Sequence, residues 1–278
     1  MVVNTKKTIA ADSILYALLI PMAAFALLPV LWLLFTAIKP PGEVFIFPPE
    51  LLPRNPQWGN FATAWNTANF PRYFYNTVFV TVSVVMGQII TCSMAAFSFS
   101  RLRYRGRDTL FLAYLGTMMI PIQVTLIPSF ILITRMGWQN TYQALIMPAM
   151  FSAFGTFLLR QFFMTIPLEL DEAARIDGAS YFRIYASIIM PLSKTALVTL
   201  GVLAFLGTWN AFLWPLVVVN RDEMRTLTLG LVIFRGMYTA QWHLIMSATV
   251  ISIMPIFAIY IFAQRYFIEG VAMSSIKG

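Results

Sequence analysis

Six long stretches of this chain contain no Asp, Glu, Lys or Arg. They are residues 13–38, 73–100, 109–134, 136–159, 195–220 and 236–264, and they run for 26, 28, 26, 24, 26 and 29 residues. A helix rises about 1.5 Å per residue, so about 20 residues cross the roughly 30 Å hydrocarbon layer of a bilayer. Every stretch is long enough to span. Only 11% of the 278 residues are charged, against about 25% in soluble domains, so a soluble bundle of six such helices would have too little polar surface to face water. The stretches are apolar on every face, which argues against barrel strands with their period of two. The reading is an all-α integral membrane protein with six transmembrane helices at about 13–38, 73–99, 109–133, 141–162, 194–219 and 241–263. A disordered chain and a secreted disulfide scaffold are excluded, and the single Cys92 offers neither an intrachain bridge nor a metal cluster.

The charges between the stretches orient the chain. Arg101, Arg103, Arg105 and Arg107 fall within seven positions on one short loop, a strong cytoplasmic signal. Lys6 and Lys7, the 160–194 segment and the C-terminal tail share that side. The count is 12 basic residues inside against 7 outside. The expected topology is N-in and C-in, with the first stretch retained as a helix, because it is too long for a signal peptide and ends in no small-residue cleavage site. Topology then accounts for the net charge of +8 without nucleic acid.

The outer segment 39–72 is dense in proline, with Pro40, Pro41, Pro48, Pro49, Pro53, Pro56 and Pro71. Phe45, Phe47, Trp58, Phe61, Trp65 and Phe70 interleave with them. That suits a folded extracytoplasmic loop with amphipathic pieces at the lipid surface, which either caps the bundle or meets an external partner. Pro121, Pro128, Pro148, Gly155, Gly201, Gly207, Pro215 and Pro255 interrupt the later stretches. Such breaks are common in transporters and in membrane helices generally.

The segment 163–193 stands apart. Four of the chain's 11 acidic residues lie between Glu169 and Asp177. Pro167 precedes a helix whose first turn holds Glu169, Asp171 and Glu172, where the macrodipole favours negative charge. Gly178 stops or bends it. A second amphipathic piece with Phe182, Ile184, Tyr185 and Ile188 leads to Pro191. The sum is a compact knob on the inner face, with small Ala surfaces for close approach and carboxylates to pair with basic groups on a partner.

Glu172-Ala173-Ala174, then Gly178, and then Ile188 followed by Met190-Pro191 resembles the signature of inner-membrane permease subunits of binding-protein-dependent ABC importers. Met190 stands where that pattern has Leu. Asn76-Thr77 at the second stretch, Gly207-Thr208-Trp209-Asn210-Ala211-Phe212-Leu213-Trp214-Pro215 in the fifth, and the tail Ala263-Gln264-Arg265 to Ile276-Lys277-Gly278 are similar to the carbohydrate (maltose/oligosaccharide) type and to the smaller of its two permeases. The resemblance implies the type I importer permease fold. It also implies a second, homologous permease, two copies of a cytoplasmic ATPase and an extracytoplasmic solute-binding protein, all at a bacterial or archaeal inner membrane with lipid around them. No cofactor is expected in this chain; ATP and Mg belong to the partner ATPases, and the chain is not itself an enzyme. Glu172, Ala173, Ala174, Arg175, Asp177, Gly178 and Pro191 would make the coupling surface toward an ATPase, with Glu172 and Asp177 as the charged partners.

Asn210 with Trp209 and Trp214, and likewise Gln88 and Gln123, are candidates for the substrate pathway, because sugars need hydrogen bonds and flat apolar faces. The same residues also suit interface anchoring or interhelical hydrogen bonds. His243, the single histidine, reads as structural. No phosphate-binding loop or dinucleotide fingerprint is present, so the energy source must sit in another subunit. The leading solute is a sugar or related polyol. Alternatives are glycerol phosphate or another small solute on the same machine, and then a secondary transporter, which would need an ion-coupling carboxylate that none of the six stretches has.

Overall fold

The structure is a computed structural model. It describes the backbone of residues 5–67, 69–237 and 241–275, and the side chains of 15–67, 69–232 and 241–264. The side chains of Lys6, Lys7, Arg235 and Arg265, and the closing Ile276-Lys277-Gly278, lie outside the described residues. Every regular element among the described residues is helical. The chain divides into two compact units, Met1–Ala68 with Leu231–Ile253, and Asn69–Gly230 with Met254–Gly278.

The first unit is built on α1 (Thr5–Ala37), apolar from Leu15 onward and carrying Pro21 and Pro29. A helix end leaves unpaired carbonyls, and α1 meets them with side chains. Asn60 Nδ2, from α2 (Gly59–Asn66), donates to the carbonyls of Ala37 and Lys39, each at 2.9 Å. Ser247 Oγ donates to Ala37 O at 2.8 Å. Lys39 is itself buried, with its ammonium on the Glu50 carbonyl and 5.0 Å above the Trp32 ring. The segment that follows α1 is therefore ordered against the end of that helix, and Phe45 meets Trp242 edge-on at 6.1 Å.

The second unit is organised by α3 (Phe70–Arg101). Its buried residues include Tyr73, Asn76, Thr77, Val80, Thr81, Val84, Gly87, Cys92 and Ala96, spaced by three and four and so on one face. Tyr75, Phe79, Val82, Met86, Ile90 and Met94 point the other way and are exposed, as a lipid-facing side would be. After α4 (Arg107–Gly116), a short 3₁₀ turn and Pro121, α5 (Ile122–Arg135) leaves at 98°. α6 (Tyr142–Ile146) and α7 (Ala153–Thr165) follow, with Ser152 Oγ capping α7 by accepting from Gly155 N at 3.0 Å. A Cβ on Gly155 would lie 2.8 Å from Leu200 Cδ1 and 3.0 Å from Cys92 Sγ, so α3 and α7 close on the later helix bearing Leu200 only because this residue is glycine.

The chain then forms α8 (Glu169–Ile176), α9 (Tyr181–Ile184), a π turn (Tyr185–Ile189), α10 (Met190–Leu192) and α11 (Lys194–Trp209). The π turn, closed by Met190 N on Tyr185 O, widens the helix just ahead of Pro191, whose ring tolerates no ordinary turn before it. A bend of 80° separates this limb from α11. α12 (Leu213–Val218), α13 (Leu227–Met237) and α14 (Trp242–Ser275) complete the chain. Among the described residues, four helical segments are long and apolar enough to cross a membrane: Leu15–Ala37, Phe70–Arg101, Tyr142–Thr165 and Trp242–Gln264. The two bent pairs bring the number up to six if each is one span. The third and fifth expected spans are thus not straight rods. The fifth, expected at 194–219, stops at Trp209 and restarts at Leu213.

Candidate functional site: an acidic helical knob and a polar-lined cavity

The knob is set by backbone chemistry around one glycine. Gly178 has φ +82°, in the left-handed region that side chains resist. Its N–H donates to Arg175 O at 3.0 Å, and the Ala179 N–H donates to Ala174 O at 2.9 Å. These are the two bonds of a Schellman closure, which satisfy the last carbonyls of α8. The apolar contact that accompanies such a closure is present too: Ala174 and Ala179 both pack against the core of Leu159, Phe163, Ile184 and Ile189. Ser180 Oγ then caps α9 by accepting from Arg183 N at 3.3 Å.

This geometry sorts the predicted coupling residues. Glu172, Ala173, Asp177 and Pro191 are exposed. Ala174, expected on the contact surface, is instead turned inward, because it sits 100° around the helix from Ala173 and holds the core side of the closure. Arg175 is exposed but engaged: its Nη1 donates to Tyr181 Oη at 2.9 Å and its guanidinium lies 4.9 Å over the Tyr181 ring, bridging the turn. Beside these charges Ile176 is 87% exposed and Phe182 72%, an apolar pair that the knob leaves uncovered.

Asp171, one of three carboxylates in the first turn of α8, is the anchored one. It pairs with Arg101 Nη1 at 3.5 Å, in side chains that are 14% and 2% exposed. Burial pushes the Asp171 carboxyl above the usual aspartate range; Arg101 opposes the shift and Glu172 adds to it. Arg101 had been one of four arginines in a topological signal. In the structure Arg103 and Arg105 are exposed, whereas Arg101 is inside. The clue in the sequence was its register, since it continues the buried stripe of α3 through Ser93, Ala96 and Phe97.

A cavity of about 520 Å³ lies in the second unit, between α3, α5, α7 and α11–α12. Gln88, Thr125, Ser129, Ser152, Thr208, Trp214 and Thr226 supply its polar groups, and no charged side chain among the described residues lines it. Gln88 Nε2 donates to Ala149 O and Trp214 Nε1 to Ala144 O, each at 2.8 Å, so both are held in place by helix-end carbonyls. The other three pathway candidates are elsewhere. Trp209 is 3% exposed, stacked on Phe205 at 5.1 Å and edge-on to Phe74 at 5.8 Å. Asn210 is no longer inside a helix: it is the C-cap of α11, with its Nδ2 on Leu206 O at 2.9 Å. Gln123 is exposed, outside the lining, although Ile122, Thr125 and Ser129 of the same helix are in it. The segment Gly207–Pro215 does face the cavity, through Thr208, Ala211 and Trp214 rather than through Trp209 and Asn210.

On the same unit, the 220–226 loop is pinned from two sides. Asn140 Oδ1 accepts from the Asn220 and Arg221 N–H groups at 2.6 and 2.8 Å. Asp222 accepts from Tyr73 Oη at 2.7 Å and also from Asn69. Burial pushes the Asp222 carboxyl up, but these bonds and the Arg225 charge outweigh it and hold it below the usual range.

Comparison with known proteins adds the following. Residues 87–272 match the family described as binding-protein-dependent transport system inner membrane component. The chain is 40% identical over 253 residues to a putative ABC transporter permease protein of Caldicellulosiruptor, covering 90% of this chain and 91% of that one. It is 35% identical over 240 residues to the sn-glycerol-3-phosphate transport system permease protein of Pectobacterium atrosepticum, covering 84% and 85%. In structure it resembles a bacterial ABC transporter involved in the import of the acidic polysaccharide alginate, with a TM-score of 0.82, 25% identity, and coverage of 96% of this chain and 99% of that one.

Proposed function

Because this chain belongs to the family of inner-membrane components of binding-protein-dependent transport systems, we propose that it lines half of an ABC importer's path for glycerol phosphate or a closely related polyol. The family fixes the coarser statement. The chain is a non-catalytic, multi-pass, all-α permease subunit for a sugar- or polyol-type solute, coupled to a cytoplasmic ATPase and served by a solute-binding protein outside.

The finer reading has six spans, with both bent pairs crossing, and both termini inside. A second, homologous permease would complete the path and two copies of the ATPase would drive it, with ATP and Mg bound there. This chain would be the smaller permease of the pair. Glu172, Ala173, Asp177 and Gly178 would enter a groove of one ATPase. The observation that carries this is the knob itself: Ile176, 87% exposed, stands beside free carboxylates on a segment whose other face is anchored to the core. An uncovered apolar side chain ringed by charge suits a protein interface better than water.

For the solute, the names of relatives favour glycerol phosphate over the oligosaccharide first expected. A sugar is the second reading, favoured by the uncharged lining with Gln88, Thr208 and Trp214. A phosphate would then draw its counter-charge from the partner permease, because an anion buried without one is costly. The test is uptake by the reconstituted complex of radiolabelled glycerol 3-phosphate in competition with unlabelled glycerol 3-phosphate, maltose or an arabino-oligosaccharide. ATP-dependent uptake quenched only by glycerol 3-phosphate is expected. Absence of ATP-dependent glycerol 3-phosphate uptake, with radiolabelled maltose or arabino-oligosaccharide taken up instead, would move the reading to the second solute, and uptake without any ATPase would refute the importer.

A further inference from the structure

We infer that Arg101 is a positioning residue for energy coupling: it locks the knob to the ends of two spanning helices, so that all three move as one body. The inference rests on the coupling role proposed above. Arg101 closes α3, and its guanidinium reaches across to α7, where Nη2 donates to Phe163 O at 2.6 Å and to Ile166 O at 2.9 Å. The remaining fork, Nη1, meets Asp171 of α8 at 3.5 Å. One planar group with several fixed donors thus joins three elements, which a lysine ammonium on a flexible stem does not reproduce.

The arrangement is reciprocal. Arg160, on α7, sends its Nε back to Phe99 O near the end of α3 at 3.1 Å. Its guanidinium lies 4.1 Å over Phe111 of α4, and its Nη2 reaches Asp108 at 3.3 Å. Each helix therefore carries the cation that neutralises the negative end of the other. The second limb of the knob is tied in as well, because Tyr185 Oη and Ser93 Oγ of α3 lie 2.7 Å apart.

A buried ion pair is a poor way to gain stability, since desolvation offsets the attraction. It is an effective way to fix one register between two elements. Arg101 and Asp171 sit where that register matters: a force applied at Glu172, the residue after Asp171, or at Ile176, five residues on, passes through this pair into α3 and α7, and α3 supplies Gln88 to the cavity wall.

The experiment uses the assembled importer in proteoliposomes, with Arg101→Gln, Arg101→Lys and Asp171→Asn, and three readouts: ATPase retained on purification, ATP hydrolysed, and solute moved. Loss of a charge-assisted contact is expected to cut solute moved per ATP by about tenfold. The ATPase should stay bound and hydrolysis should change by less than about twofold, within the scatter of a surface contact. Asp171→Asn keeps the Arg101–carbonyl bonds and removes only the ion pair, so it reports even if Arg101→Gln fails to insert. Arg101→Lys should recover only part of the ratio. Unchanged coupling in Asp171→Asn, or a parallel fall of hydrolysis and uptake, overturns the inference. If the unaltered chain retains no ATPase, the coupling reading has failed; if it couples normally and the variants do too, only the latch has.

Discussion

Gly178 offers a perturbation whose cost the structure sets apart from its surroundings. A Cβ built there meets nothing within 4 Å, so the first carbon of a side chain collides with no atom of this chain. The only intramolecular cost is conformational: φ of +82° is about 1–2 kcal/mol unfavourable for a residue with a Cβ, least for Asn and most for β-branched residues. That amount lowers the population of the closed turn relative to open forms by roughly 5- to 30-fold. Two Schellman bonds and the seating of Ala174 go with it. The assay is solute uptake and ATPase retention for Gly178→Asn, Gly178→Ala and Gly178→Val in membranes with equal permease content. If conformation governs, activity falls in the order Asn, Ala, Val, although Asn is larger than Ala. If size against a partner governs, Ala outperforms Asn. Full activity in Gly178→Val would refute the reasoning altogether.

Other expectations follow from the same geometry. Trp209→Ala should cost about 3–5 kcal/mol of packing and lower the amount of permease in the membrane, measured by blotting, while uptake per molecule and solute preference stay unchanged. Gln88→Leu or Trp214→Phe should instead alter the apparent KM for solute at normal permease levels, since both line the cavity. Gly155→Val forces overpacking against Leu200 and Cys92, at about 1–3 kcal/mol, and Leu200→Ala should recover part of the lost thermal stability. Asp222 has a folded pKa below the ordinary aspartate value of 3.8. Its contribution is therefore present above that value and lost only as pH falls through the lower, folded one. Amide protection factors at residues 223–226, which correct for the intrinsic pH dependence of exchange, should hold through pH 3.8 and fall below it, and Asp222→Asn should remove that pH step; loss of protection beginning well above 3.8 would contradict the sign.

The long apolar helices Leu15–Ala37, Phe70–Arg101, Tyr142–Thr165 and Trp242–Gln264 were legible because each carries a long charge-free run in the sequence. The knob was legible for a similar reason, since Gly178 and the acidic first turn of α8 are local signals. What was not legible depends on direction around a helix axis. Ala173 and Ala174 are the same residue type in adjacent positions, and only the core beneath them decides which faces out. Trp209 and Trp214 both read as pathway aromatics, yet the break at Asn210 puts one in the core and the other on the cavity. Arg101 was hidden by its neighbours: four arginines at alternate positions read together as a loop signal, and burial of the first shows only once α7 and α8 are folded against it.

In the function proposed above, the exposed face of α8 is the surface that an ATPase covers. Cys92 is the chain's single cysteine and is buried, so Ile176→Cys introduces one accessible thiol. Labelling with a membrane-impermeant maleimide in inside-out vesicles tests the claim directly. Rapid labelling is expected when the permease is made alone and strong protection when the ATPase is made with it, with no labelling in right-side-out vesicles. Equal labelling with and without the ATPase, or labelling only from the outside, would contradict it.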